Sequence, residues 1–337
     1  MDFYKNTLSN FPDEFHVTMI SISPKYFDKV TSKLKARADE YYQLSTQFIE
    51  VIPFILKCEF DMIIYPEIGM APMIYYLAMH RLAPIQTLII GHPETSGMKS
   101  IDYFISWKHF HEKDPTSQFT ETVVQLNELP LCYDFPKEIQ HIKPIDLGVP
   151  KQSRLFFVPM LAFKLHPSFD VVIKEIVEAD PSNIVIIPSY IGLEKVIVER
   201  LKSKIKSASI SQLIVLPHLK RNAYFSVLQQ ADVILETFPF GGGNTMLQSI
   251  AVGTPYVSLR GTQLRGSFGC GFYTYIGEEQ FIAKSVDDYI QIALGVAADK
   301  GIKQAFRDRV KASYGRLFDN MAGSDEFYEW MRSVLQD

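Results

Sequence analysis

Little in this chain would let it fold around cross-links. Its 337 residues include three cysteines, Cys58, Cys132 and Cys270, far apart and without CxxC or CxxH spacing. A disulfide framework or a structural zinc site is thereby set aside, and a reducing, cytoplasmic setting is expected. There is no basic excess either: 34 Lys and Arg stand against 38 Asp and Glu, a formal net charge of −4. That leaves no electrostatic footprint for nucleic acid. No uninterrupted apolar run reaches bilayer length, so no membrane span is expected. The opening stretch MDFYKNTLSNFPDEFHV carries acids and no apolar core, unlike a secretory leader. Low-complexity tracts, internal repeats and the D-x-D triplet are also missing. Carboxylates of the D-x-D kind hold nucleotide diphosphates through a metal. Without them no metal is expected, and any anion is left to lysine, helix dipoles and backbone N–H groups.

What the chain does have is an ordinary balance for a folded protein, 47% hydrophobic and 21% charged. Its length favours two domains, because single cores stop growing below it. Short β-branched runs at 15–22, 60–66, 85–91 and 101–106 read as strands, and 26–42 and 70–82 as helices. Residues 128–153 are proline-rich and without a steady period, so a linker is expected there. The alternation then restarts, with strands at 154–160, 182–189, 211–218, 232–238 and 255–261. Helical patterns lie between them at 166–180, 194–205, 222–231 and 244–253, and a helical tail follows. Near-continuous apolar strands alternating with helices imply α/β domains with parallel sheets covered on both faces. The expected layout is a first domain over 1–135, a linker over 136–153, a second domain over 154–318 and a C-terminal helix over 319–337.

In such sheets ligands sit beyond the carboxyl ends of the strands. In the second domain those ends read MLAFK, SYIG, PHLKR and PFGGGNT. Two of the four supply basic residues and one supplies Gly241, Gly242 and Gly243. Glycines let a ligand approach the backbone closely, and a helix expected to start near Asn244 or Thr245 offers unpaired N–H groups and a positive dipole end. The same turn could serve only to reverse the chain. The pattern is neither GxxxxGK[ST] nor an early GxGxxG, so a P-loop and a dinucleotide site are not favoured. Lys164 could place an ammonium over a phosphate or be a plain surface lysine. His218 and Lys220 could bind a ligand or form a solvated capping turn. His92, in IIGHPETSG, could work as an acid or base or be a satisfied histidine at a strand end.

These strand ends, with RLAPIQTLIIGHPETSGMKSIDYFIS at 81–106, resemble glycosyltransferase family 41. That family holds the O-linked N-acetylglucosamine transferases and the bacterial cytoplasmic N-glycosyltransferases of adhesins. FPFG and YPEIGM look closer to the bacterial branch. The resemblance runs from about residue 50 to the end. It implies a GT-B fold, with two Rossmann-like doubly wound domains facing across a cleft. It also implies an inverting, metal-independent transfer of glucose or N-acetylglucosamine from a UDP-sugar to a protein side chain. By the same resemblance Lys164 stabilises the diphosphate leaving group and His218, with Lys220 nearby, holds the uracil. Gly242, Gly243, Asn244 and Thr245 cradle the phosphates, and His92 lies near the sugar. Two departures stand out. Gln248 occupies the place of the family's ribose-binding aspartate, and a neutral amide accepts a weaker hydrogen bond. The family's opening strand and loop are expected to be missing ahead of a helix at 1–12. A non-catalytic or partner-dependent subunit and a transferase acting on a glycan therefore stand as alternatives.

Overall fold

The computed structural model describes residues 3–22, 28–189 and 194–336. Its contacts divide the chain into two units. One comprises residues up to Asp134 together with the tail from Gly315, and the other runs from Phe135 to Tyr314.

In the first unit β1 (Thr18–Ile22) pairs in parallel with β2 (Glu40–Leu44), joined through the helix Lys29–Arg37. A four-stranded parallel sheet follows, built from β3 (Met62–Tyr65), β4 (Ile85–Ile89), β5 (Tyr103–Trp107) and β6 (Thr122–Leu126), ranked in chain order. The expected helix over 26–42 ends at Arg37, because Ala38 turns extended and the next residues join β1 edge to edge. β6 was not anticipated; its alternating TVVQL pairs with β5 all along its length. Val51 and Ile55 of the helix Phe48–Lys57 pack with Leu77 and Leu82, and with Ile20, Leu44 and Ile63 of the strands. The terminal helix Ala322–Gln336 belongs to this unit. Its Glu326 accepts the N–H groups of Asn127 and Glu128 at 2.9 and 2.8 Å, and Trp330 meets the Tyr103 ring edge-on.

The second unit holds six parallel strands: β7 (Arg154–Phe157), β8 (Asn183–Pro188), β9 (Leu213–Leu216), β10 (Val233–Leu235), β11 (Tyr256–Leu259) and β12 (Ile282–Ala283). Their order is β12-β11-β10-β7-β8-β9. Counted from the first strand of the unit this is 6-5-4-1-2-3, the dinucleotide-fold order, with its reversal between β7 and β10. Phe156 and Phe157 of β7, Val185 and Ile186 of β8 and all of β10 are fully buried. That is why these strands read as unbroken apolar runs. Each such side chain stabilises the fold by about 1.5–3 kcal/mol relative to exposure. Val172, Ile173 and Ile176 of the helix Asp170–Ala179 cover the sheet, as do Met246, Leu247 and Ile250 of the helix Gly243–Val252. The helices Phe268–Ile276 and Val286–Ala298 were not read from the sequence. Residues 136–153, expected as a linker, lie with this unit: Ser226 Oγ donates to Lys143 O, and Gln229 Nε2 to Ile139 O.

Candidate functional site

The reversal in strand order leaves a crevice at the carboxyl ends of β7 and β10. The chain leaving β7 makes a short turn at Ala162–Lys164, and the chain leaving β10 makes the glycine turn. The two meet directly. Lys164 Nζ donates to Gly241 O at 2.7 Å and lies 4.1 Å from the centre of the Phe240 ring. Burial pushes the Lys164 ammonium down to about 8, with Glu236 pulling the other way. The turn is held on its other sides as well. Gly241 N donates to Arg265 O at 2.9 Å, Thr237 Oγ1 to Phe240 O at 2.7 Å, and Tyr256 Oη reaches Gly242 O at 3.5 Å.

The helix expected to start near Asn244 or Thr245 starts one or two residues earlier, at Gly243, with Gly242 as its N-cap. The cap carries no side chain, and a Cβ there would stand 2.7 Å from Met160 Cε; its own N–H donates to Glu236 Oε1 at 3.1 Å. Asn244 and Thr245 therefore stand in the first turn. The first intrahelical bond runs from Met246 N to Gly242 O. Helix geometry leaves the N–H groups of Gly243, Asn244 and Thr245 pointing out of the helix end, where an anion is favoured. Gln248 sits one turn on, half-buried.

His218 and Lys220 are exposed, at the end of β9, with Lys220 opening the helix Arg221–Gln230. β9 lies two strands from β7, roughly 10 Å away at sheet spacing. Tyr190, Ile191 and Gly192 of the SYIG stretch after β8 lie outside the described residues. The turn that carries Lys164 is anchored by Arg200, which donates to Leu165 O at 2.7 Å and to the buried Asp170 at 2.9 Å. Lys204 donates to the other Asp170 oxygen at 2.7 Å.

His92 belongs to the first unit, at the carboxyl end of β4. Its half-buried ring lies against Gly69, where an added Cβ would come within 3.1 Å of it. Gly91 is required beside it: a Cβ there would stand 1.8 Å from Pro66 O, so the loops after β3 and β4 touch through backbone. Much of the long 81–106 signature turns out to be scaffold. Arg81 grips Asp102 with both guanidinium nitrogens. Buried Gln86 accepts Leu82 N at 2.8 Å and donates to His80 O and Ser100 O at 3.0 and 2.6 Å. Thr95 and Ser96 are tied down by buried Glu121.

Sequence reasoning missed Glu236. Its signal was present: a single carboxylate between an apolar strand and a glycine turn, in VILETFPFGGG. Among the described residues no group of three His, Cys, Asp or Glu side chains gathers as metal ligands, and no helix is long and apolar enough to cross a membrane.

These two units make up a GT-B fold. Superposed on an O-GlcNAc transferase mutant of Thermobaculum terrenum, the chain gives a TM-score of 0.85 at 19% identity, covering 99% of this chain and 64% of that one. Anabaena HepE, solved with UDP and glucose, gives 0.61 at 10% identity, covering 94% of this chain and 100% of that one. At such identities the likeness speaks for the fold.

The chain's sequence relatives are protein glycosyltransferases, and the resemblance to family 41 is borne out by them. A probable UDP-N-acetylglucosamine–peptide N-acetylglucosaminyltransferase SPINDLY from Oryza sativa subsp. japonica is 29% identical over 231 residues, 67% of this chain and 25% of that protein. A UDP-glucose:protein N-beta-glucosyltransferase from Actinobacillus pleuropneumoniae serotype 5b is 25% identical over 268 residues, 74% of this chain and 40% of that protein. The matched part thus spans a quarter of the plant relative's length and two fifths of the bacterial one's. No known protein-family profile matches the chain.

Proposed function

We propose that this protein is a glycosyltransferase that moves glucose or N-acetylglucosamine from a UDP-sugar to an Asn, Ser or Thr side chain of a protein, with inversion and without a metal. The observation that carries the proposal is the placement of Lys164 on the glycine turn at the strand-order reversal. The named relatives support the donor and acceptor classes.

The acceptor attacks the anomeric carbon from the side opposite UDP, and the bond from that carbon to the β-phosphate oxygen breaks. Its electron pair leaves with the phosphate. Lys164 and the N–H groups of Gly243, Asn244 and Thr245 stabilise the charge that develops there. The uracil is assigned to His218 and Lys220, whose strand lies about the right distance from the cradle for a nucleoside, roughly 10 Å. Gln248 is assigned to the ribose. His92 is the candidate base, given a protein acceptor that brings its nucleophile within hydrogen-bond reach. That Cys58, Cys132 and Cys270 are not disulfide-bonded supports a reducing, cytoplasmic setting.

The test is turnover of UDP-glucose and UDP-N-acetylglucosamine with a peptide acceptor library, beside UDP binding by calorimetry and a Lys164→Ala control. Neither turnover nor binding would refute the proposal. A second reading, a subunit that works only with a partner, draws on the first unit's exposed Ile49, Leu56, Tyr76 and Met79. It expects UDP binding without turnover by the chain alone.

A further inference from the structure

The mechanism above makes no use of the most deeply buried charge beside the cradle. Glu236 ends the β10 segment and is 2% exposed. One oxygen accepts Gly242 N at 3.1 Å. The other, Oε2, lies beside the buried Ser258 hydroxyl, where both face Gly269. Space for the carboxyl is made by two glycines. A Cβ at Gly241 would stand 2.1 Å from Oε1, and one at Gly269 would stand 2.5 Å from Oε2. Tyr289 Oη donates to the Glu236 backbone carbonyl at 3.0 Å, fixing the strand end. A buried carboxyl has thus been fitted behind the end of the helix that would receive the donor's diphosphate, with one oxygen on the Gly242 N–H and the other beside the Ser258 hydroxyl.

We infer that Glu236 is a positioning residue of the phosphate cradle, which fixes the Gly242 peptide from inside and takes up a proton when the donor's diphosphate arrives at the same helix end. The inference rests on the donor reading given above. Two negative groups at one helix N-terminus repel across a poorly screening interior, and the group that can become neutral does so. Glu236 is poised for it, since burial raises its carboxyl to about 7, offset in part by Ser258, the Gly242 N–H, Tyr256 and Lys164.

The other titratable groups facing it are few. Lys164 approaches from the loop after β7, Tyr256 from β11, Tyr273 from the helix Phe268–Ile276 and Tyr289 from the helix Val286–Ala298. Burial holds the three phenols well above their ordinary range, so they stay neutral near pH 7. The first turn of the helix Gly243–Val252 presents only Gly243, Asn244 and Thr245. Lys164 titrates higher, near 8. Lys164, which is assigned to the same diphosphate, also takes up protons toward the upper end of the pH 6 to 7.5 window, so the share of the linkage that belongs to Glu236 is the part removed by Glu236→Gln.

The test is calorimetric binding of UDP-glucose and UDP-N-acetylglucosamine to the full chain, in buffers of different ionisation enthalpy. Both phosphates of these donors are diesters and do not titrate in this window. The wild type is expected to bind more weakly at pH 7.5 than at pH 6, by up to about tenfold for each unit by which the donor raises the carboxyl, and to take up a fraction of a proton. Glu236→Gln keeps an oxygen for Gly242 N and loses the charge. It is expected to show a clearly smaller slope and less proton uptake than the wild type, and to bind at least as tightly at pH 7.5. Glu236→Ala leaves Gly242 N without its acceptor and binds more weakly at both pH values. Thermal melts confirm that each variant is folded. A wild-type slope and proton uptake retained in Glu236→Gln overturn the inference and leave the donor reading standing. A wild type that binds neither donor overturns both.

Discussion

The two units are both parallel α/β layers, yet they use their strand ends differently. In the second, the sheet reverses its order between β7 and β10, and two loops from distant parts of the chain converge on one point. Lys164 and Gly241, 77 residues apart, meet there at 2.7 Å. In the first, β3 to β6 lie in chain order, with no reversal to open a crevice. Its one singled-out side chain, His92, rests on the neighbouring loop at Gly69. Its long sequence signature is spent largely on internal bracing by Arg81, Gln86 and Asp102. Convergence of side chains from distant parts of the chain follows strand order, and a long motif is no measure of chemistry.

Removing one side chain from each unit is the strongest way to break this contrast. Lys164→Ala is expected to lower kcat by about 100- to 1000-fold, the usual loss when one donor to a developing oxyanion is deleted, and to weaken UDP binding as well. His92→Ala is expected to lower turnover while leaving UDP binding unchanged, because His92 is assigned to the sugar and acceptor and not to the nucleotide. Kinetics beside calorimetry decides it. Equal losses of UDP affinity in both variants would end the division of labour.

A scaffold residue gives the next largest effect. Gln86 is wholly buried and serves Leu82 N, His80 O and Ser100 O. Gln86→Ala strands those backbone groups and is expected to cost about 2–4 kcal/mol of stability in a denaturant titration, with UDP affinity kept within about twofold. A folded Gln86→Ala that no longer binds UDP would show that the 81–106 signature serves the nucleotide after all.

The centre of the second unit was legible in the sequence because β8 and β10 are buried throughout, and β7 at all but its first residue. FFV, IVII and VIL can hardly be anything else, and the loops that matter follow directly behind them. Strand order was not legible, since it depends on which helix crosses which face. The glycine-turn helix starts one residue ahead of Asn244, at Gly243, and the N–H of its N-cap Gly242 is held by Glu236 from six residues upstream, a contact that local capping preference does not reveal. The first unit was harder to read. EYYQL continues the helical pattern before it and becomes β2 only by pairing with β1. The glycines of FGCGFYTYI mask the helix Phe268–Ile276, where Gly269 is needed to clear Glu236.

The smallest expected effect is a difference of sign. His111, in the first unit, is paired with Ser106 Oγ at 2.7 Å, and burial lowers its imidazolium from 6.5 to about 4. Between those values the unfolded chain binds a proton that the folded one refuses, so the folded state loses stability as pH falls from about 6.5 toward 4. After allowance for partial solvent access the loss is about 1–2 kcal/mol. Glu236 works the other way. Its carboxyl is raised from 4.5 to about 7, so the folded chain holds a proton that the unfolded one has released. Its contribution is full below about 4.5 and is lost as pH rises through 7. Acidification from pH 7 to 5 should therefore loosen β5 and tighten β10. Amide exchange in peptides covering 103–107 and 233–235, corrected for its intrinsic pH dependence, reads the two separately. His111→Phe should abolish the first response and Glu236→Gln the second. If both segments move in the same direction, and neither substitution alters them, titration of these two groups does not set the acid response of either unit.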